Sequence, residues 1–512
     1  MPLFCLATKI KDICNVSVID FRSNRKRILK EHPFPELKPF YRDNVYTPFS
    51  LFRAYYRFGM DEEEISKTIT REKPDVVAIS SLFTTYAEEA LDVARIAKEI
   101  DADITTVTGG THPTLFPEHC LHFPYIDYVI RGEGETPFFQ LIMKLNAGDR
   151  TGAAAIPGLC FRDGDGLHIS PISIEDDIDL VPDRSFIDAD HYRIGKRKYA
   201  FLLTSRGCPF NCAFCGKPPV PYRKRTRGSI EEEIRRGIEL GIGAIDFEDD
   251  MLNLDLDFFT GILESFKGTG IHLSAMNGLY AGNLDRKTLD AMYDAGFRRL
   301  NFSLVDVSED VHRSQKRAFP VHLADLLSYL ETTPFLVEAH FIVGLPDQNP
   351  EDIIDTMIYL MGKRLLAGPS IYYLAPNSPL FNAACGDDWQ KYMKLMRSSA
   401  LYPAGPQFPR ETLFTFMKLT RFINFVKGLI DRNPAMEHLS DIIDAPDLSC
   451  KPHDVHILKT LILDKRLTWY DSAKQDYADE PQDRDLVAHF FTRINGASIR
   501  GFRTMNKLTI DT

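Results

Sequence analysis

Two series of short apolar, β-branched runs constrain the fold most strongly, because helical patterns lie between the runs in both series. The first series covers residues 16–19, 76–79, 104–107 and 128–130. The second covers residues 200–204, 244–247, 271–275, 300–304, 337–343 and 370–374. Alternating strands and helices are typical of parallel sheets whose faces are covered by helices. The sequence therefore predicts an α/β protein.

The length of 512 residues allows about two to four domains. Residues 1–145, which hold the first series, predict a Rossmann-like domain. Residues 146–195 contain Asp163-Gly164-Asp165-Gly166 and an acidic run, which together indicate a hairpin and a linker. Residues 196–381 hold six βα units, enough for a partial TIM-like (β/α)6 barrel. Residues 382–512 continue no strand repeat and predict a helical C-terminal domain.

Charge and hydropathy exclude some partners. The formal net charge is -11 and the pI is near 5.7, so the chain repels a phosphate backbone and nucleic acid is not an expected partner. No apolar run approaches the roughly 20 residues that span a bilayer, and the first residues lack the pattern of a signal peptide. We therefore expect a cytoplasmic protein without a transmembrane segment.

Three cysteines, Cys208, Cys212 and Cys215, lie on one short predicted loop directly after a strand. Thiolates are soft ligands that suit iron-sulfur clusters or zinc. Structural zinc closes four ligands, and this loop offers three with no histidine nearby, so zinc would need a distant fourth ligand. A cubane cluster held by three cysteines keeps one iron free to bind another ligand, which favours a catalytic cluster.

The spacing C-x3-C-x-aromatic-C, with Phe214 before Cys215, resembles the signature of the radical S-adenosylmethionine (SAM) superfamily. The resemblance implies that Cys208, Cys212 and Cys215 hold a 4Fe-4S cluster, and that the amino and carboxylate groups of SAM chelate its open iron. It also implies reductive cleavage of SAM to a 5'-deoxyadenosyl radical, with an electron from a flavodoxin or ferredoxin. Phe214 would lie near the adenine.

Later strand ends carry further matches to this superfamily. Relatives bind the amino group of SAM where this chain has Glu248-Asp249-Asp250, and a carboxylate suits that ammonium; capping of the next helix is the alternative. Gly344 opens a turn of the G-x-P type, where backbone approaches the adenine in relatives. Ser303 and Asp306 stand near the position where relatives hold the ribose, although Val305 departs from that pattern.

A basic run, residues 223–227, follows the cysteine loop. It has three interpretations: a solvated loop, a contact to the carboxylate of the cofactor, or a nucleic-acid patch. The acidic composition favours the solvated loop.

The predicted front domain resembles the cobalamin-binding domain that precedes the barrel in one radical SAM subfamily, the class B methyltransferase-like enzymes. Small and polar residues after three strands match its recurring segments, and the alternative is that they only cap parallel strands. The implied cobalamin contacts are Ser80, Ser81, Gly109, Gly110, Thr111, His112, Gly132, Glu133 and Gly134. No D-x-H-x-x-G motif supplies a cobalt ligand in residues 1–150, and His112 is the candidate replacement.

The first strand of this domain is missing from the pattern, because the chain opens with a helix that precedes residues 16–19. In a sheet of order 2-1-3-4-5 that missing strand is central, so residues 16–19 have no obvious partner. Either the true start lies upstream, or the sheet is rearranged and cobalamin binding is weakened.

The resemblance implies a cobalamin-dependent methyltransferase that acts on an unactivated carbon of a small molecule, a lipid or a natural product. A cobalamin-dependent cyclase or rearranging enzyme without net methyl transfer is the first alternative. An iron-sulfur binding or electron-transfer protein without catalysis is the second.

Overall fold

The computed structural model describes residues 2–22, 26–28, 34–50, 56–149, 152–217, 220–441 and 451–511. The elements of the front region are α1 (Pro2–Ile10), β1 (Lys26–Ile28), β2 (Val45–Tyr46), β3 (Tyr56–Phe58), α2 (Glu62–Glu72), β4 (Val76–Ser80), α3 (Ala87–Ile100), β5 (Thr105–Gly109), α4 (Thr111–Leu115), α5 (Pro117–Leu121), β6 (Tyr128–Ile130), α6 (Glu135–Asn146), β7 (Leu159–Asp163), β8 (Gly166–His168) and β9 (Arg193–Ile194).

The front sheet has the order β4-β5-β6-β7-β8. Strands β4, β5 and β6 are parallel, as their continuous apolar runs predict, and they are followed by helices at their carboxyl ends. The hairpin β7-β8 joins β6 in antiparallel pairing. The hairpin predicted at Asp163-Gly164-Asp165-Gly166 is therefore confirmed, but it extends the front sheet, so this part of residues 146–195 is not a linker.

Strand β4 is the edge of the front sheet, and the predicted strand at residues 16–19 does not form. Residues 14–22 adopt no helix or strand, because a strand needs a partner for its backbone groups. A cavity of about 1600 Å³ separates them from β4, lined on one side by Val16 and Val18 and on the other by Val76 and Ala78. The sheet thus has an open edge where the topology predicts a central strand.

The middle region carries six parallel strands, arranged in two sheets, and the helices between them. Its elements are β10 (Arg197–Leu202), β11 (Ser205–Arg206), β12 (Arg223–Lys224), α7 (Arg227–Glu239), β13 (Ile242–Phe247), α8 (Leu256–Glu264), β14 (His272–Ser274), α9 (Arg286–Ala295), β15 (Arg299–Val305), α10 (Glu309–Ser314), α11 (Leu323–Glu331), β16 (Leu336–Val343), α12 (Pro350–Met361) and β17 (Leu366–Ile371).

These strands form two sheets, one after the other along the chain. Strands β10, β13 and β14 are parallel neighbours, with β9 antiparallel at the outer edge, and β15, β16 and β17 form the second sheet. Isolated parallel bridges from Leu273 to Phe297 and from Leu279 to Phe302 connect the two. Side chains along β16 alternate between buried and partly buried, so one face packs against helices. Closure into a partial barrel stays a prediction.

The C-terminal region contains strands as well as helices. Its elements are α13 (Pro379–Cys385), α14 (Arg410–Arg432), α15 (Pro452–Asp464), β18 (Thr468–Asp471), β19 (Asp476–Asp479), α16 (Arg484–Ile494), β20 (Ser498–Arg500) and β21 (Lys507–Thr509). Strand β18 pairs with β2 of the front region as well as with β19. The prediction of a helical C-terminal domain is therefore confirmed for α13 to α16 but misses two hairpins, which are too short to show a clear alternating pattern.

Helix α14 covers the outer edge of β17. The side-chain oxygen of Asn424 accepts the Ala367 N–H at 3.0 Å, and its amide donates to the Ala367 carbonyl at 2.7 Å. One asparagine therefore replaces a neighbouring strand at this position. Phe49 from the front region packs on the same helix, with its ring centroid 6.0 Å from that of Phe422. No helix among the described residues is long and apolar enough to span a membrane.

Candidate cofactor site

The three cysteines lie on a loop whose two ends are tied together. Strands β11 and β12 pair in antiparallel register and flank residues 207–222. Gly207 begins the loop at φ +79, and a Cβ there would lie 2.5 Å from the Pro221 carbonyl oxygen. Gly216 is packed equally tightly, because a Cβ would lie 1.9 Å from the carbonyl oxygen of Pro376. The loop is thus held close to neighbouring backbone at its beginning and directly after its last cysteine.

Further backbone hydrogen bonds hold the middle of the loop. The Ala213 N–H donates to the Gln315 carbonyl at 3.0 Å, and the Leu380 N–H donates to the Ala213 carbonyl at 3.2 Å. Cys212 is buried, Cys208 is partly buried and Cys215 is exposed. The backbone that carries the three cysteines is therefore held in place, and the cysteines differ in exposure, from the buried Cys212 to the exposed Cys215.

The thiol arrangement fits a polynuclear cluster better than a single zinc ion. Tetrahedral zinc with Zn–S bonds of about 2.3 Å would hold its sulfur atoms about 3.8 Å apart. The Sγ atoms of Cys208, Cys212 and Cys215 do not all lie within 4.8 Å of one another. A cluster separates its cysteines further, because each sulfur binds a different iron. In addition, Arg317 Nη1 lies 3.9 Å from Cys212 Sγ, where it can hydrogen-bond a thiolate.

The predicted acidic site divides into accessible and buried carboxylates. Asp249 is buried and accepts from the Thr204 N–H at 3.1 Å, the Thr204 hydroxyl at 2.7 Å and the Ser205 hydroxyl. It therefore fixes the strand end before the cysteine loop and is not free to bind SAM, which corrects the expectation for this residue. Glu248 is only partly buried, and Asp250 is exposed close to Lys217.

Asp246 is a buried neighbour of Glu248 that the sequence analysis did not consider. It is buried, and it accepts from the Ser274 hydroxyl at 2.6 Å and from the Met276 N–H at 3.0 Å. Burial, followed by the charge of Asp246, raises the pKa of Glu248. The Tyr199 hydroxyl lies 3.3 Å from Asp246 Oδ2. Asp246 is the penultimate residue of β13 and Glu248 directly follows the strand, so the two-residue spacing at this strand end is the signal that could have found Asp246.

Phe214, the turn at Gly344 and the end of β15 come together. Phe214 packs in one apolar cluster with Val305 and Leu345. Gly344 has φ +89, and a Cβ there would lie 2.6 Å from Leu413 Cδ2, so this turn requires glycine. The structure therefore brings the predicted adenine contacts onto one side of the cysteine loop.

The end of β15 has an unusual backbone, because Val305 is buried at φ +73. A β-branched residue in this conformation is a genuine outlier, and such strain is common at functional sites. Ser303 remains partly buried near this bend.

Asp306 is not available to bind a ribose. It is fully buried and accepts from Gln348 Nε2 at 2.7 Å, from the Thr356 hydroxyl at 3.0 Å and from the Ser308 N–H at 2.8 Å. The expectation that Asp306 substitutes for the missing ribose ligand is therefore wrong, and Ser303 remains the candidate.

In the front sheet, the predicted cobalamin contacts after β4 and β5 are neighbours. Ser80 pairs with Gly109 in the sheet, and the Ser81 N–H donates to the Gly109 carbonyl at 2.8 Å. Gly110 has φ +112, and a Cβ there would lie 2.6 Å from the Ser81 carbonyl oxygen. The Ser81 Oγ is buried and has no hydrogen-bond partner among the described residues. This orphaned hydroxyl fits a polar group of a bound ligand.

His112 lies at the start of α4, next to Thr111, and does not face an open crevice. Its ring is fully buried, with Nδ1 3.3 Å from the Thr84 hydroxyl and Nε2 3.2 Å from His119 Nδ1. Trp389 covers it from the C-terminal region, with ring centroids 6.2 Å apart. Both ring nitrogens are engaged, so the proposed role of His112 as a replacement cobalt ligand is wrong for this arrangement.

The Gly132-Glu133-Gly134-Glu135 loop contacts the cysteine loop. Arg206 forms ion pairs with Glu133 at 3.1 Å and with Glu135 at 2.6 Å, and Arg223 reaches Glu133 at 2.7 Å. Gly132 has φ +87 and packs against residues 172–173, while Gly134 precedes α6. Glu133 is thus an ion-pair partner, which corrects its expected role as a cobalamin contact.

The interpretation of the basic run as a solvated loop holds only in part, because Lys224, Thr226 and Arg227 are exposed, whereas Arg223 is partly buried, Arg225 is buried, and both are ion-paired. Besides Arg223, Lys224 binds Asp255 and Arg225 binds Glu233, the latter pair at 2.6 Å and almost wholly buried. The local sequence does not reveal Glu133 and Asp255, which lie 90 and 31 positions from their partners, whereas Glu233 lies only eight positions from Arg225.

Family models match both halves of this site. The B12 binding domain matches residues 53–142, and the radical SAM superfamily matches residues 202–360. The chain therefore carries a match to a cobalamin-binding domain followed by a match to a radical SAM domain, in the order that the resemblance implies. The two domains confirm cobalamin and SAM as its cofactors, and the 4Fe-4S cluster follows from the family.

Individual relatives and a solved structure agree with these two domain matches. The chain is 28% identical to an uncharacterized methyltransferase from Pyrococcus horikoshii, over 64% of this chain and 74% of that protein. It is 26% identical to the anaerobic magnesium-protoporphyrin IX monomethyl ester cyclase of Rubrivivax gelatinosus, over 65% of this chain and 63% of the cyclase. The fold is similar to that of the radical SAM methyltransferase TsrM from Kitasatospora setae, with a TM-score of 0.56 at 17% identity, over 63% of this chain and 69% of TsrM.

Proposed function

We propose that this cobalamin-binding radical SAM enzyme is a methyltransferase that acts on an unactivated carbon of a small molecule, with an electron supplied by a flavodoxin or ferredoxin. When bound, the cluster and SAM supply the carbon-radical chemistry, and cobalamin supplies the methyl group. The observation that carries the proposal is the fixed cysteine loop, which connects through Glu133 to the domain matched by the B12 model. The named methyltransferase among its relatives supports the same activity.

The residues of this chain would bind and orient these groups. Cys208, Cys212 and Cys215 would hold the cluster, since their thiols lie on one preformed loop. Glu248 and Asp250 would accept the amino group of SAM, as both carboxylates remain accessible after β13.

The apolar side of the SAM site and the front loops would complete the binding sites. Phe214 and the Gly344 turn would pack on the adenine, and Ser303 would contact the ribose. Ser80, Ser81, Gly109 and Gly110 would contact cobalamin at the carboxyl end of the front sheet.

A second candidate is a cyclase or rearranging enzyme without net methyl transfer. It is favoured by the similarity to a protein named as a cyclase, which covers about as much of this chain as the similarity to the methyltransferase does.

Product mass separates the two candidates. Anaerobically reconstituted chain would be incubated with SAM, cobalamin, a reductant and candidate substrates, and products would be analysed by mass spectrometry. A mass gain of one CH2 supports methyl transfer, whereas turnover without that gain supports cyclisation or rearrangement. A Cys208→Ala, Cys212→Ala, Cys215→Ala variant is the control, and 5'-deoxyadenosine production by this variant would contradict the proposed role of the cysteines.

A further inference from the structure

The two short strands that flank the cysteine loop, β11 and β12, each carry an arginine, and the two arginines face each other. Arg206 on β11 and Arg223 on β12 are direct register partners in the two-stranded ribbon. Like charges that lie directly opposite on paired strands repel each other and destabilise the pairing. The ribbon that closes the cysteine loop therefore depends on a negative charge supplied from elsewhere.

That charge comes from the front domain. Glu133 accepts from both arginines, from Arg206 at 3.1 Å and from Arg223 at 2.7 Å and 3.0 Å, and the Glu175 N–H donates to it at 2.6 Å. Glu135 forms an ion pair with Arg206 at 2.6 Å. The side chains of all four paired residues are at most 20% exposed, so solvent screens the charges weakly.

The two carboxylates and two guanidinium groups of this network carry equal and opposite charge. Burial alone raises the pKa of Glu133, but the hydrogen bond from Arg223 and the charge of Arg206 outweigh it, and the pKa lies below its usual range. Glu133 is therefore ionised at neutral pH, and two carboxylates balance two guanidinium groups. Removing the charge of Glu133 leaves one buried positive charge in excess and leaves Arg223 without its carboxylate.

We propose that Glu133, a residue of the cobalamin-binding domain, is a positioning residue for the cluster of the radical SAM domain. It neutralises Arg206 and Arg223, holds β11 against β12, and so fixes the backbone on which Cys208 begins the cluster loop. This inference rests on the proposed cluster-binding role of the three cysteines. It means that the front domain is needed to assemble the cluster site as well as to bind its own cofactor.

The test measures iron content and cluster absorbance of the full chain after anaerobic reconstitution, without any substrate. Wild-type chain should retain about four iron atoms. We expect Glu133→Gln to retain at least twofold less iron than the wild-type chain. Glu135→Gln should lose less iron, because Arg206 still forms its ion pair with Glu133 in that variant. The double variant Glu133→Gln, Arg223→Gln restores the charge balance and should recover more than half of the lost iron. Glu89→Gln, an exposed change in the same domain, is the matched control.

The double variant separates charge balance from a purely structural effect. If Glu133 mattered only through its contacts, removing Arg223 as well would lower iron retention further, and this result would overturn the inference. Wild-type iron retention in Glu133→Gln, with folding confirmed by circular dichroism, would also overturn it. If the wild-type chain took up no more iron than the triple-cysteine variant, the cluster assignment itself would fail, and the inference would fail with it.

Discussion

The two large sheet systems of this molecule treat their outer edges differently. The last strand of the radical SAM region, β17, has its edge covered by α14, where Asn424 pairs with both backbone groups of Ala367. The first strand of the front sheet, β4, has no strand on its outer edge among the described residues, and a cavity of about 1600 Å³ borders it. Within the part of the chain that the structure describes, the edge of β17 is covered and the edge of β4 is not.

The difference shows where each half obtains its stability. Unpaired backbone groups at a buried edge are costly, so a helix with a suitably placed amide stabilises β17. The front sheet instead closes its carboxyl end, because Trp389 stacks on Phe116 with ring centroids 3.7 Å apart and covers His112. Asn424 and Trp389 both belong to the C-terminal region, which therefore stabilises both cofactor domains.

Replacing the asparagine on α14 should have the largest effect on this comparison. Asn424→Ala leaves the Ala367 N–H and carbonyl without their partners in a buried position. Each unsatisfied group costs about 1–3 kcal/mol, so we expect the free energy of unfolding to fall by about 2–4 kcal/mol. Chemical denaturation measures this change.

Asn433→Ala, at the residue directly after α14, is the control, because its side chain donates one hydrogen bond, to the Leu429 carbonyl at 3.0 Å. Its loss should be about 1 kcal/mol or less. A similar loss in both variants would mean that the edge of β17 gains nothing from Asn424.

Local signals explain which parts of this structure were predictable. The cysteine spacing and the apolar runs at β4, β5 and β6 are contiguous in sequence, so both were recognised. Residues 16–19 have the composition of a strand, but a strand also needs a neighbour, which composition does not supply. The hairpins of the C-terminal region are short and gave no clear pattern.

Long-range pairing explains most of the errors in the site. The interpretation of the basic run as a solvated loop misses the ion pair of Arg223, because Glu133 lies 90 positions away along the chain. Asp249 matched a family position, yet its carboxylate is fully used by Thr204 and Ser205. Likewise, only the folded chain brings Trp389 over His112. Such contacts depend on tertiary packing, which the local sequence pattern does not reveal.

The second prediction concerns the pH dependence of the cover over His112. Burial, followed by the proximity of His119, lowers the pKa of His112 from 6.5 to about 3. Between these values the unfolded chain binds a proton that the folded chain does not, so stability falls as the pH falls below 6.5. The loss can reach about 1.4 kcal/mol per pH unit.

Thermal melting between pH 7 and pH 5 measures this dependence. Trp389→Ala should weaken it, because water can then reach the ring and the pKa of His112 rises toward its usual value. His112→Gln removes this contribution altogether and is the reference. An unchanged pH dependence in Trp389→Ala would contradict the role of Trp389 as the cover of His112.

The smallest effect is expected at the open edge of β4. The Ser81 N–H donates to β5, and the Asp75 carbonyl accepts from it, so by alternation the Ala78 N–H points to the open edge. Ala78→Pro should therefore remove no ladder hydrogen bond and lower the free energy of unfolding by about 1 kcal/mol or less. Ala339→Pro on β16, which is paired on both sides, should cost at least about 2 kcal/mol. Equal losses, measured by denaturation, would mean that the outer edge of β4 is hydrogen-bonded in solution and that the two sheets do not differ in this respect.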